Sequence, residues 1–526
     1  MYKIFCRWVC FFLTLVAVAG CGFRERSYDT VYIRLKDDIT TLDPALIVDV
    51  DGGMLAAYLY NGLVKLDFSL NVVPDIAHKW EILDNDTRYR FYLRKNIRFS
   101  NGDELTARDV KHSFERLLDP SVKSSRSWIF ENVAGCNSFM SGNAGGIEGF
   151  VVVNDYTLDI VLKEPFAPFI SLLTMPNVMI SKIVSDSDGN RHVYGTGPFI
   201  LNDWVRGDSI RFIRNENYYD KMASVAKVVF KIIPEDFTAI TEFENGRIDI
   251  LEVPGSEFEY FVTDARWKDR VYRSPLLNTY YVGFNCQKEP FNSVEMRHAV
   301  GYAVNREGII EKFLHNRVTR ADSPVPPDLL GSKISIAEHK YDPGKAIDMI
   351  SSLPGSTRKE ISLYFSSNKE TEGIAELIQY DLAQAGLSVS LCQLEWSVFK
   401  EKVASGEAEM FILSWWADYP DIENFLYPVF YSGNWGSAGN RVRYKNEEFD
   451  EVILKARKTA DDMLRTDLYR QALSIIENDA PWVCLWHRDK FVVVQPWIHN
   501  FKLAGVHSVD KGTDITIDAT TKLHED

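Results

Sequence analysis

At 526 residues the chain exceeds what one hydrophobic core ordinarily organises, so two or three domains are expected. Its composition, 46% hydrophobic and 25% charged, is that of a folded globular protein. A formal net charge of -15 argues against a nucleic-acid partner, which needs a basic face to displace counterions from phosphates, and suits neutral or cationic ligands instead.

At the N-terminus, Lys3 and Arg7 precede the apolar run Trp8 to Val18, which is too short to span a membrane comfortably. The run closes on Ala19 and Gly20, followed by Cys21, and this VAGC string resembles a bacterial lipobox. An ordinary signal peptide with an incidental cysteine is the alternative. The lipobox reading makes residues 1–20 a cleaved signal, Cys21 the lipidated first residue and residues 21–30 a tether; cleavage moves the formal charge to -17. Of the other cysteines, Cys136, Cys286, Cys392 and Cys484 are widely spaced and form no CxxC pair, so no structural metal is expected, and disulfides or buried thiols remain equally open.

The first predicted strand is Val31 to Leu35, followed by a helix over Met54 to Leu59 that Gly62 is expected to cap. Tyr89 to Arg94 alternates as a half-buried strand does; after the turn Ser100-Asn101-Gly102, a helix starts at Thr106 and buries Ala107, Val110 and Phe114. Further on come a strand at Ile361 to Phe365, a helix from Gly373 to Gln384 ended by Gly386, and a strand at Leu387 to Leu391. A helix through Val398 to Lys400 then leads to an apolar strand at Glu409 to Leu413. This strand, helix, strand order predicts an α/β architecture with a partly parallel sheet covered by helices.

That last strand runs into SWWADYPD, Ser414 to Asp421. Asp418 there has two readings. It accepts backbone amides in a turn while the tryptophans serve the core, or it is a carboxylate among apolar walls that holds an ammonium group. Ligands of open α/β sheets sit beyond the carboxyl ends of strands, where Asp418 falls. The usual catalytic motifs, GxSxG, HExxH and a phosphate-binding GxxxxGK[ST] loop, are missing from the sequence. Adjacent acids such as Asp37 and Asp38 read as solvated surface, and His487 reads by default as a hydrogen-bonded structural histidine. A glycosidase could hold its two acids far apart in sequence, so the missing motifs do not exclude an enzyme, but no residue can be named as its acid; no catalytic activity, cofactor or metal is expected.

Several strings in chain order resemble one family, the oligopeptide- and dipeptide-binding solute receptors of ATP-driven importers. They are TLDP (41–44), LYNGLV (59–64), VPDIAHKWE (73–81), FYLRKNIRFSNG (91–102) and LTARDV (105–110). Next come GTGPF (195–199), RNENYY (214–219), GFN (283–285) before Pro290 and Phe291, and RHAVGYAVNR (297–306). Each is weak alone, but together they cover nearly the whole chain beyond Cys21. The resemblance implies a two-lobed periplasmic-binding-protein-like fold of class II type, with an extra subdomain on lobe one and two hinge crossings. Lobe one takes 31–277, the extra subdomain about 76–194, lobe two 278–489, and 490–526 returns to lobe one. The crossings are placed at Asn278 to Phe284 and Val483 to His487.

The resemblance further implies an extracytoplasmic, lipid-anchored monomer, in the periplasm or on the cell surface, that captures peptides and delivers them to a permease and ATPase complex. Asp418 matches the aspartate that pairs with the peptide α-ammonium. Val48, Asp49 and Val50 of lobe one and Ser414 to Trp416 of lobe two match the backbone that holds a peptide as an added strand. Trp415, Trp416, Tyr419, Trp396 and Trp486, with His487 adjacent, match cleft-lining positions. Some relatives have a carboxylate-binding arginine where this chain has Ile412, a histidine near the position of Glu370, and a cysteine bridge where it has Asn278 and Trp416. Arg441 or Arg443 is the substitute cation, or else a solvated strand edge. The same scaffold holds nickel chelates or haem in some relatives, and a surface sensor that has lost transport is the rival from outside transport.

Overall fold

The computed structural model describes residues 29–185, 191–331, 334, 340–353, 360–506, 509 and 511–518. Residues 1–20 and Cys21 lie outside them. No helix among the described residues is long and apolar enough to cross a membrane.

One sheet runs through the molecule, and its middle strand makes the architecture two-lobed. In lateral order the strands are Phe199–Val205, Ser209–Arg214, Lys227–Ile232, Thr30–Leu35, Ile250–Glu252, Trp482–Val494, Asn278–Phe284, Met410–Trp416, Ile361–Ser366 and Val389–Leu394. The 13-residue strand Trp482–Val494 belongs to both lobes. Its first half pairs with Asn278–Phe284 and Val318–Arg320, and its second half with Val271–Pro275 and Ile250–Glu252. The pairing changes partners at Arg488 and Asp489, between Val318↔Arg488 and Pro275↔Asp489. The second crossing is the short link Leu276 and Leu277, joining Val271–Pro275 to Asn278–Phe284.

Parallel pairing occurs in both halves, Thr30–Leu35 with Lys227–Ile232 and Ile361–Ser366 with both Val389–Leu394 and Met410–Trp416, as the strand, helix, strand order predicted. A separate four-stranded antiparallel sheet, Ala77–Leu83, Arg88–Leu93, Thr157–Val161 and Phe150–Asn154, packs on helix Ala107–Leu118 over its own apolar core. That helix starts as predicted, with Thr106 and Asp109 forming a reciprocal capping box.

Element boundaries moved where side chains the sequence could not pair took over the caps. Helix Val50–Leu59 is capped by Asp49, whose Oδ1 accepts the Gly52 amide at 2.6 Å, and it ends at Tyr60 rather than Gly62. Helix Lys369–Gln384 starts four residues before Gly373, on an Asn368 cap, because Gly373 is an interior residue pressed on the Phe313 ring. Gly386, at φ 91°, ends it as expected. The strand expected at Leu387 to Leu391 runs instead over Val389–Leu394.

The family-like strings of lobe one converge on one buried junction. Asn61 Nδ2 donates to both Asp75 oxygens at 3.0 and 2.9 Å, and the Tyr219 hydroxyl donates to Asp75 at 2.7 Å. Thr196 donates to Asn61 Oδ1 at 3.2 Å, and Asn215 donates to the Gly197 carbonyl at 2.9 Å. Gly195 and Gly197 are required there: a Cβ on either would lie 2.0 or 2.7 Å from the Leu59 carbonyl oxygen. Lys511, from the C-terminal return, completes the junction with an ion pair to Asp75 at 2.9 Å.

Candidate ligand-binding cleft

The strand Met410–Trp416 is bounded on one edge by Asn278–Phe284 along its whole length. On its other edge Ile361–Ser366 reaches only Met410 and Phe411, so Ile412 to Trp416 have no paired neighbour on that side among the described residues. This open edge ends two residues before Asp418. Two cavities flank the strand end, about 820 Å³ and about 600 Å³ in volume.

The larger lies between the extra subdomain and lobe two, where Trp128, Lys163 and Phe166 face Trp415, Asp418, Tyr419 and Arg457. Among the described residues the Asp418 carboxylate accepts no backbone amide. Its Oδ1 accepts from Nη1 of Arg126, across the lobe boundary, at 2.8 Å, and its own amide is held by Asn424 Oδ1 at 3.0 Å. Burial pushes the Asp418 carboxyl up, and the Arg126 guanidinium offsets that only in part. The turn cap is Asp421, whose carboxylate accepts the Glu423 amide at 2.9 Å.

Trp415 lines this cavity, held by a 2.8 Å hydrogen bond from its indole to the Asn424 carbonyl. Tyr419 is 6% exposed, inserts into the apolar core of the extra subdomain, and donates its hydroxyl to Glu423. Glu423 is fully buried 2.8 Å from Arg457; burial pushes its carboxyl up to about 7, against the pull of that guanidinium.

The smaller cavity brings together Val50 and Asp51 of lobe one and Trp416 and Arg488 of lobe two. Val50 and Trp416 are therefore opposed across one cleft, while Val48 is exposed nearby and Asp49 is occupied as a helix cap. Asn278 and Trp416 are register partners on neighbouring strands.

Other expected positions lie elsewhere. Trp486 is 1% exposed, stacked on Tyr280 in the core of lobe two, because the inward face of the hinge strand is buried on both sides of the crossing. His487 is 2% exposed, and its Nδ1 sits 2.7 Å from the Asn278 carbonyl and 3.1 Å from the Thr279 hydroxyl. Trp396 opens the helix Trp396–Ala404, half exposed and stacked by Lys400 instead of lining either cavity. Arg441 acts on the buried Tyr281 hydroxyl, and Arg443 hydrogen-bonds the Ala404 and Ser405 carbonyls at the end of that helix. Neither lines either cavity.

Cations that sequence reasoning missed include Arg457 and Arg488, which line the larger and the smaller cavity, Arg126, which pairs with Asp418, and Arg317, which lines neither cavity. Arg317 lies 3.4 Å from Glu370, which also pairs with Arg488, and Arg488 rests 4.8 Å over the Tyr280 ring. The acid at 370 thus balances cations from two other elements. Arg488 was signalled only by its place beside His487 on the crossing strand; Arg126 lies in a loop without any motif.

His487 yields a direct prediction. Burial depresses its imidazole to about 4, so the folded protein keeps it neutral. A group depressed on folding adds stability above its unfolded value near 6.5, which is lost as pH falls toward and through about 4; the amount is on the order of 3 kcal/mol. Imidazole NMR is expected to show His487 titrating near pH 4. A midpoint near 6.5 would contradict the buried placement.

The model described as "Bacterial extracellular solute-binding proteins, family 5 Middle" matches residues 71–437. The chain belongs to this solute-binding family. Among curated relatives, haem-binding protein A of Haemophilus influenzae is 29% identical over 484 residues, covering 87% of each chain. The dipeptide-binding protein DppE of Bacillus subtilis is 27% identical over 502 residues, 88% of this chain and 90% of that one. Among solved structures, the unliganded open form of the murein tripeptide-binding protein MppA superposes with a TM-score of 0.81 at 22% identity, covering 94% and 98% of the two chains. The ABC transporter-associated protein DppA of Helicobacter pylori, in complex with the peptide STSA, gives 0.73 at 25% identity, covering 93% and 98%. The two-lobed α/β architecture of this solute-binding protein is that of its family.

Proposed function

We propose that this solute-binding protein captures peptides in the interlobe cleft and delivers them to an ATP-driven membrane importer, tethered outside the cytoplasm through lipid on Cys21. The observation that carries the reading is the open strand edge Ile412 to Trp416 ending beside Asp418. An extended peptide laid on that edge satisfies its backbone without regard to sequence, and its α-ammonium meets a partly desolvated carboxylate. Trp415 and Trp416, on opposite faces of the strand, give each cavity an aromatic wall. The dipeptide-binding and peptide-complexed relatives support a peptide ligand. Closure of the lobes about the Arg488–Asp489 crossing is the signal offered to the importer.

The haem-binding relative supports a second reading, a non-peptide solute, favoured by one observation: Asp418 already has a cation, Arg126. Calorimetry with a defined mixture of unmodified tri- to pentapeptides, repeated after N-acetylation, decides between them. Binding that acetylation weakens supports the peptide reading. Binding indifferent to acetylation removes the ammonium anchor, and no binding at all removes the peptide.

A further inference from the structure

Two arginine–aspartate pairs reach out of the extra subdomain, and they are built differently. Arg116, on helix Ala107–Leu118, grips Asp43 with both terminal nitrogens, and the two side chains are 10% and 12% exposed. That is the forked geometry of a permanent structural pair. Arg126 reaches Asp418 through Nη1 alone; its Nε is buried without a hydrogen-bond partner, and the two side chains are 27% and 29% exposed.

Arg126 also stands on a less constrained support. It lies in the loop between that helix and the short turn Ser127–Phe130, with its amide donating to the Ser124 hydroxyl at 3.2 Å. The facing surfaces do not depend on it. Lys458 pairs with Glu164 at 2.6 Å, the Ala167 amide donates to the Arg457 carbonyl at 2.8 Å, and Tyr419 is buried in the opposing core. Arg126 can therefore leave Asp418 while the extra subdomain and lobe two stay in contact.

We propose that Arg126 is a specificity-determining residue, an internal competitor that occupies Asp418 until a ligand ammonium displaces it. The inference rests on the peptide reading of the cleft. Its consequence concerns selection. A ligand with a free ammonium exchanges one cation for another on Asp418 and binds at an affinity reduced by the fraction of molecules in which Arg126 holds the site. A ligand with a blocked amine leaves Arg126 in place and still finds Asp418 neutralised. Arg126 thus narrows the gap between free and blocked amino termini that a bare carboxylate would impose.

The test compares wild type with Arg126→Gln, using the same tri- to pentapeptide mixture before and after N-acetylation. The free-amine mixture is expected to bind the variant about three- to tenfold more tightly. The acetylated mixture is expected to bind it more weakly, because Asp418 is then covered without a cation, so the ratio between the two widens. Arg126→Lys keeps a cation on a shorter reach and is expected to give an intermediate ratio; it carries the test if Arg126→Gln melts early. An unchanged or narrower ratio overturns the competitor role, and a loss of free-amine affinity in Arg126→Gln makes Arg126 a ligand-holding group instead. If neither protein binds either mixture, the peptide reading falls and the competitor role falls with it.

Discussion

Asp418→Ala is expected to weaken binding of free-amine peptides by about 3 to 5 kcal/mol, a loss of a hundredfold or more, because a ligand ammonium covered by the cavity walls would be left without its counter-charge. The same substitution is expected to change the stability of the ligand-free protein by less than about 1 kcal/mol. The asymmetry follows from what Asp418 touches. Without ligand its carboxylate has one described ion-pair partner, Arg126, and that guanidinium is exposed enough to be hydrated when released. The Asp418 amide bond to Asn424 survives the substitution, so the turn is retained. Calorimetry of the peptide mixture, paired with thermal unfolding of the ligand-free variant, separates the two roles. Unchanged affinity removes the anchor. A large fall in ligand-free stability makes Asp418 a structural residue joining the extra subdomain to lobe two.

The position of the acid in SWWADYPD was legible, because it lies just past an apolar strand, and there it lines the larger cavity. What the string does in three dimensions was only partly legible. The turn-capping duty falls to Asp421, three residues on, and the tyrosine between them is buried across the lobe boundary. Trp486 lies in the core rather than along the cleft, and His487 keeps its default reading as a hydrogen-bonded structural histidine. Alternation along a strand assigns faces, but on this crossing strand consecutive residues Leu485, Trp486 and His487 are all buried, and only from Arg488 on does the strand open toward the cleft. Cations were the least legible class. Long side chains reach across element boundaries, so Arg126 and Arg317 find carboxylates 292 and 53 residues away in sequence, with no local pattern to mark them. The strings in GTGPF, LYNGLV and RNENYY carried the family resemblance, yet their residues build the lobe-one junction and not the ligand surface. A resemblance spread over the whole chain therefore fixes the scaffold far better than the ligand.

That junction carries the second large effect. Asp75→Ala is expected to destabilise lobe one by about 3 to 5 kcal/mol while leaving ligand affinity unchanged wherever the protein remains folded. Asp75 and Lys511 have side chains 1% and 8% exposed, so removing the carboxylate strands an ammonium away from water and takes the acceptor from Asn61 and Tyr219 as well. Burial alone would push the Asp75 carboxyl up; Lys511, Lys65 and the Tyr219 hydroxyl outweigh it and leave it below the usual range. A carboxyl depressed on folding adds stability above its unfolded value near 3.9, and that stability is lost as pH falls through the lower folded value. Wild-type lobe one should therefore fail in acid below about pH 4 more steeply than Asp75→Ala does. Replacing both partners, Asp75→Leu with Lys511→Met, should cost less than the sum of the single changes, because neither charge is left buried alone. Denaturant unfolding of the three variants, with hydrogen exchange followed over residues 511–518, measures all of this. If Asp75→Ala melts as wild type does, the C-terminal return is held by its apolar contacts and the junction is no keystone; if peptide affinity falls with it, the junction and the cleft are coupled through lobe one rather than independent.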